Sequence, residues 1–156
     1  MSLHKITPTP VRKSVRVKVS QARAFKVFTL YFNSWWPRDH HIGASELAET
    51  VLEPRKDGRW YEKGIDGSIH QWGEVLVWDP PAKLVMSWRI NSSFKLDDTV
   101  ESEVEVRFTA DSPQATLVEL EHRITAVDAD KLAEAVGSDK GWAELLKVYA
   151  EKTETV

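Results

Sequence analysis

Residues 58–88, GRWYEKGIDGSIHQWGEVLVWDPPAKLVMSW, decide the fold. They read as three consecutive strands: Arg59–Gly64, Ile69–Trp78 and Lys83–Ile90. The Asp66-Gly67 pair between the first two is a hairpin signal, because it supplies the positive φ that two-residue turns need. Asp79-Pro80-Pro81 separates the second from the third, since prolines cannot donate to a strand ladder. Four of the chain's seven tryptophans, Trp60, Trp72, Trp78 and Trp88, fall in this meander. A sheet this rich in indoles needs a large surface to pack against, or an aromatic or apolar molecule to hold.

Working outward, Val11, Val15, Val17 and Val19 alternate with Arg12, Ser14, Arg16 and Lys18, the pattern of a strand with one buried face. Thr7-Pro8-Thr9-Pro10 ahead of it is not helical, and residues 1–10 read as a flexible lead-in. Ser20 is a good N-cap, and Phe25, Phe28, Phe32 and Trp35 follow at helical spacing until Pro37, so a helix or helix pair covers about 21–36. Residues 40–45 form a loop, 46–54 a weaker strand, and 91–98 a polar, mobile loop around a lone Phe94. Val100, Val104, Val106 and Phe108 alternate with glutamates and Arg107. After the Asp111-Ser112-Pro113 turn, Thr116, Val118, Leu120, His122 and Ile124 do the same. From Asp128 the period becomes helical, Gly137 interrupts it, and Ser138 or Asp139 can cap a second segment. There Trp142, Leu145, Leu146 and Tyr149 make one apolar stripe.

The order is strand, two helices, six strands and a long helix. That predicts an α+β domain over residues 11–153, with helices on one face of an antiparallel sheet of about seven strands. At 156 residues the chain can close a sizeable core. Its 21 basic and 24 acidic residues argue against a nucleic-acid partner. The absence of cysteine excludes disulfides and thiolate chemistry. No apolar run approaches a membrane span, and the start lacks the apolar core of a signal peptide, so a cytoplasmic location is the default expectation. Homodimerisation stays open.

Several of these pieces, in this order, resemble the START-like (SRPBCC) helix-grip superfamily, in the branch related to the activator of the heat-shock chaperone ATPase. They are Trp35-Trp36-Pro37, Glu53-Pro54-Arg55, Gly58-Arg59-Trp60-Tyr61-Glu62, Trp72-Gly73-Glu74-Val75, Asp79-Pro80-Pro81, Leu84 to Trp88, and Gly141-Trp142. The resemblance implies a strongly curved sheet wrapped around the C-terminal helix with a cavity between them. It does not imply one function, since relatives include ligand binders, cyclases and co-chaperones. One departure is Asp57, where relatives often carry a second glycine; Asp tolerates the left-handed region well enough to keep the turn.

The expected function is binding of a small hydrophobic or aromatic molecule. The expected walls are Phe32, Trp36, Trp60, Met86, Trp88, Trp142, Leu146 and Tyr149, with Glu62 and His122 as polar anchors. Each tryptophan also has an ordinary reading as core. Glu62 and His122 can equally be a satisfied buried pair, groups bonded to backbone, or a catalytic acid–base pair. Which face of Ile69–Trp78 is buried stays open. Asp39-His40-His41 reads as a solvated loop, because adjacent residues rarely converge on one ion without further ligands. Glu101, Glu103, Glu105, Glu119 and Glu121 read as a solvated sheet face. No metal or cofactor site and no phosphate loop or serine elbow is expected. The rival readings are a co-chaperone-like partner of the heat-shock ATPase and a cyclase or hydrolase working in the same cavity.

Overall fold

The computed structural model describes residues 7–155. The first six positions of the expected lead-in lie outside them. Seven strands form one antiparallel sheet in the order β1-β7-β6-β5-β4-β3-β2. They are β1 Val11–Val17, β2 Leu47–Leu52, β3 Arg59–Gly64, β4 Ile69–Asp79, β5 Lys83–Ser87, β6 Glu101–Ser112 and β7 Ala115–Thr125. Two helices, α1 Gln21–Thr29 and α2 Phe32–Trp35, follow β1, and α3 Ala129–Gly137 and α4 Trp142–Thr153 close the chain. The sheet curls into a half-barrel around the C-terminal helical segment, the helix-grip arrangement.

The elements form where local chemistry demands. Ser20 caps α1, its hydroxyl accepting from the Arg23 amide at 3.2 Å. Asp57 stands at φ 65°, the left-handed position that the Gly58 turn requires. Arg123 bridges Glu103, Glu105 and Glu121 at 3.0, 3.3 and 3.1 Å across the outer face of β6 and β7, so that acidic row is partly neutralised. The inner face carries Val104, Val106, Phe108, Val118, Leu120 and Ile124, all buried.

Three expectations change. The strand begun at Lys83 ends at Ser87, not Ile90, because the Trp88 amide donates to Ser102 of β6 while the Arg89 amide donates to Trp72 of β4. Neither Ser138 nor Asp139 caps α4: Gly141 is its N-cap, and the Ser138 hydroxyl closes α3 instead by donating to the Ala135 carbonyl at 2.8 Å. The loop 91–98 is well tied. The Asn91 side chain accepts from the Ser93 and Lys95 amides, and Ser92 bonds to Asp128. Phe94 itself sits at φ 59° and is 58% exposed.

The β4 question resolves in an unexpected way. Trp72 and Val75 are buried, Trp78 is half-buried with its ring 5.1 Å from Phe25, and the residues between belong to neither uniform face. Two register shifts, one facing Trp60/Tyr61 of β3 and one between Val75 and Val77, each insert a residue. A bulge reverses which side the following residues face, so two of them turn a period of two into a spacing of three. Gly73 permits the tight packing there. A Cβ at this position would lie 1.9 Å from the Ser87 carbonyl oxygen of β5.

The core follows from the aromatic helices. Tyr149 of α4 packs edge-on against Phe28 at 5.2 Å and Trp35 at 5.4 Å, and its hydroxyl donates to the Ala24 carbonyl at 2.7 Å. Burial pushes the Tyr149 phenol well above its ordinary range. Trp142, Leu145, Leu146 and Tyr149 are all buried on the concave side, as their spacing requires. Leu146 is 2% exposed, so Leu146→Ala is expected to cost about 2–5 kcal/mol, measured by urea denaturation.

Candidate functional site: an indole-walled cavity

Five indoles form a closed circuit inside the curl. Ring centroids are 5.1 Å apart for Trp36–Trp72, 5.3 Å for Trp72–Trp60 and 5.7 Å for both Trp60–Trp88 and Trp88–Trp142. Trp36–Trp142 closes the circuit at 6.3 Å. Phe32 contacts Trp36, Trp60 and Trp72 from the core side. Such offset and edge-on contacts favour fixed ring positions.

A cavity of about 470 Å³ opens on the other side of this circuit. It lies at the N-terminal end of α4, between residues 36–42, Trp72 of β4, residues 88–94 and the α3–α4 turn. Further along α4, Leu146, Tyr149 and Thr153 are buried and line no part of it. The cavity opens past Asp39 and Phe94, both exposed. A second depression of about 490 Å³ lies around Arg89, Glu103 and Arg123 and has no aromatic wall. Its lining instead mixes aliphatic residues such as Leu76 and Val100 with the charges of Arg89, Asp98, Glu101, Glu103 and Arg123.

The residues expected to line a site divide accordingly. Trp36, Trp88 and Trp142 lie on the cavity wall, joined by Trp72. Phe32, Trp60, Met86, Leu146 and Tyr149 do not: each is buried in the core behind it, where neighbouring rings and α4 leave no free surface. Glu62 and His122 are also interior, 1% and 0% exposed, but neither lies on the wall. Nor do they pair with each other, because protein groups already occupy both.

Glu62 accepts three N–H bonds, from the Ile42 amide at 2.6 Å, the Gly43 amide at 3.0 Å and the Trp72 indole at 2.9 Å. Buried carboxylates are tolerated when their oxygens are satisfied in this way. His122 accepts at Nδ1 from the Trp142 indole at 3.1 Å, so its proton lies on Nε2, which donates to the Ser102 hydroxyl at 3.2 Å. Ser102 in turn donates to the Trp88 carbonyl at 2.7 Å. Burial, aided by the nearby Arg123 charge, pulls the His122 pKa down to about 3, so the ring is neutral.

The segment read as a solvated loop, Asp39-His40-His41, is instead part of the cavity mouth. Its placement depends on contacts distant in sequence. Glu62 holds Ile42 and Gly43, and the Arg38 guanidinium donates to the Asn33 and Trp36 carbonyls at 2.6 and 3.3 Å. His40 Nδ1 meets Asp39 Oδ1 at 2.8 Å, a bond that holds the Asp39 carboxyl below its ordinary range. His40 Nε2 reaches the Lys140 carbonyl at 3.3 Å, tying this loop to the α3–α4 turn across the mouth. His41 Nδ1 lies 2.9 Å from the Gly43 carbonyl. The only local signal was three polar, proton-exchanging residues directly after a helix stop. Among the described residues no three His, Asp or Glu side chains converge as metal ligands.

The family model described as Activator of Hsp90 ATPase homolog 1-like protein matches residues 18–151. The chain belongs to this family. No curated protein matches it. Among solved structures, it is similar to Txn09, an anthrahydroquino-γ-pyrone synthase. Identity is 35% and the TM-score 0.62, over 97% of this chain and 99% of that one. It is likewise similar to CalC, a self-sacrificing resistance protein from Micromonospora echinospora. There identity is 35% and the TM-score 0.71, over 93% of this chain and 94% of that one. A norcoclaurine synthase from Thalictrum flavum shares the fold alone, at 9% identity and a TM-score of 0.66, with 98% of each chain covered. No helix among the described residues is long and apolar enough to cross a membrane.

The neutral His122 makes stability depend on pH in one direction. The unfolded chain protonates this ring near its ordinary 6.5, whereas the folded chain does so only at about 3. Stability is therefore full above 6.5 and falls as pH drops toward the folded value, by about 1.4 kcal/mol per unit. Urea denaturation between pH 7.5 and pH 5, above the carboxylate range, should show this slope. His122→Asn, which keeps an acceptor for the Trp142 indole, should lose it while the contributions of the other histidines remain.

Proposed function

We propose that this protein is a binding domain that holds a flat, largely apolar aromatic molecule in the indole-walled cavity. One observation carries the reading: an opening of about 470 Å³ walled by Trp36, Trp72, Trp88 and Trp142. That volume falls within the usual range for small-molecule sites, and the lining combines aromatic surface with a few polar groups at one end. Fixed rings reduce the ordering cost of binding, since the wall is already in place. The relatives at 35% identity lend support by their stated roles, one as synthase of a fused aromatic product and one as a resistance protein. A partner role on the heat-shock ATPase, which the family's description brings to mind, is the rival. It predicts chaperone capture by a protein whose cavity stays empty.

The test is anthracene-9,10-dione titrated against intrinsic tryptophan fluorescence. Binding should quench the emission, and probe at about 100 times its dissociation constant should stabilise the fold by roughly 2.7 kcal/mol. Trp88→Ala and Trp36→Ala should weaken binding far more than Leu146→Ala, whose side chain lies outside the cavity. Unchanged fluorescence and an unshifted denaturation midpoint at saturating probe would remove the basis for this reading.

A further inference from the structure

Every indole on the cavity wall uses its N–H inside the protein. Trp36 donates to the His40 carbonyl at 2.7 Å, Trp72 to Glu62 at 2.9 Å, Trp88 to the Ile90 carbonyl at 2.9 Å and Trp142 to His122 at 3.1 Å. The wall thus offers ring faces and edges but no indole donor. Polar selection falls to the mouth, and most groups there are also taken. His40 has both ring nitrogens against acceptors, Asp39 Oδ1 and the Lys140 carbonyl. The Ser138 hydroxyl donates to Ala135. The Asp39 side chain is 86% exposed, so its charge is solvated.

Two groups remain, Nε2 of the half-buried His41 and, at the exposed rim, the Lys140 ammonium. Among the described residues no hydrogen bond or ion pair engages either one, and both residues line the cavity. The state of the His41 ring follows from its other nitrogen. A carbonyl oxygen only accepts, so the contact of Nδ1 with Gly43 O at 2.9 Å places the proton on Nδ1. In the neutral ring Nε2 then carries a lone pair. Gly43 is itself fixed by the hydrogen bond its amide donates to Glu62, so the buried carboxylate sets this tautomer at one remove.

From this we infer that the cavity selects planar aromatic ligands bearing an acidic ring hydroxyl at one edge. The hydroxyl donates to His41 Nε2, and the Lys140 ammonium offsets the negative charge that grows on its oxygen. An imidazole acceptor in a cavity that also carries an ammonium suits a phenol or enol better than a ketone, which has no proton for the imidazole, or an amine, whose cationic form the lysine repels. The inference rests on the binding reading above and adds the ligand's chemical class to it.

Paired probes separate the two claims. Anthracene-9,10-dione and its 2-hydroxy derivative have nearly the same shape and differ by one free hydroxyl. On the wild-type protein the hydroxy probe should bind at least tenfold more tightly. His41→Asn keeps a donor near the Nδ1 position for the Gly43 carbonyl but has nothing at Nε2, so it should lose that advantage while still binding the parent dione. His41→Gln, whose amide reaches the Nε2 position, should recover part of it, and Lys140→Met should reduce it several-fold. Equal affinity for the two probes, or a His41→Asn variant as selective as wild type, would overturn the inference and leave the binding reading standing. Failure of both probes to bind would overturn both.

Discussion

The carboxylate of Glu62 is the contact on which the site depends. Its three N–H bonds join the sheet to the segment after α2 and to an indole of the wall. Without them the partly buried amides of Ile42 and Gly43 would lose their acceptor, at a cost of up to about 1–3 kcal/mol for each group that water does not reach. The approach is close at position 43, where a Cβ would stand 3.2 Å from the Glu62 carboxylate and 2.8 Å from the His70 ring, which would have to shift. A buried polar group thus trades the freedom of a surface loop for a defined cavity edge.

His122 does the same for the opposite wall. The chain of bonds from the Trp142 indole through His122 and Ser102 to the Trp88 carbonyl connects α4, β7, β6 and the end of β5. Two of the wall rings are held by this one relay, and every member has a partner. Fully satisfied networks of this kind specify one arrangement among many that an apolar core would tolerate. Both interior polar residues therefore act on the cavity indirectly, by fixing the rings and the loop that form it.

Much of the fold was legible because it obeys simple periods. The valines of β1, the alternation in β6 and β7, and the stripe of Trp142, Leu145, Leu146 and Tyr149 all carry their burial in their spacing. The inward placement of Glu62 and His122 was legible for the same reason. The burial of β4 was not, since a bulge leaves no mark in a hydrophobic pattern except its failure. Residues 39–41 were also opaque. Their position is set by Glu62, about 20 residues further on, and by a carbonyl at Lys140, 100 residues away. Local sequence carries no trace of either contact. The cavity wall could be recognised as tryptophan, but which tryptophans face it depends on where α3 gives way to α4.

The spacing of three in β4 has an evolutionary corollary. Trp72, Val75 and Trp78 face inward only because two inserted residues fall where they do, next to a glycine packed against the Ser87 carbonyl. A single insertion or deletion in this strand would turn a tryptophan toward solvent and a charged residue into the core. The segments at the mouth carry no such constraint, since their side chains contribute to the opening without setting the sheet's register. Descendants of this chain that diverge in what they accept should therefore differ at residues 38–42, 91–96 and 137–141, with β4 kept at fixed length.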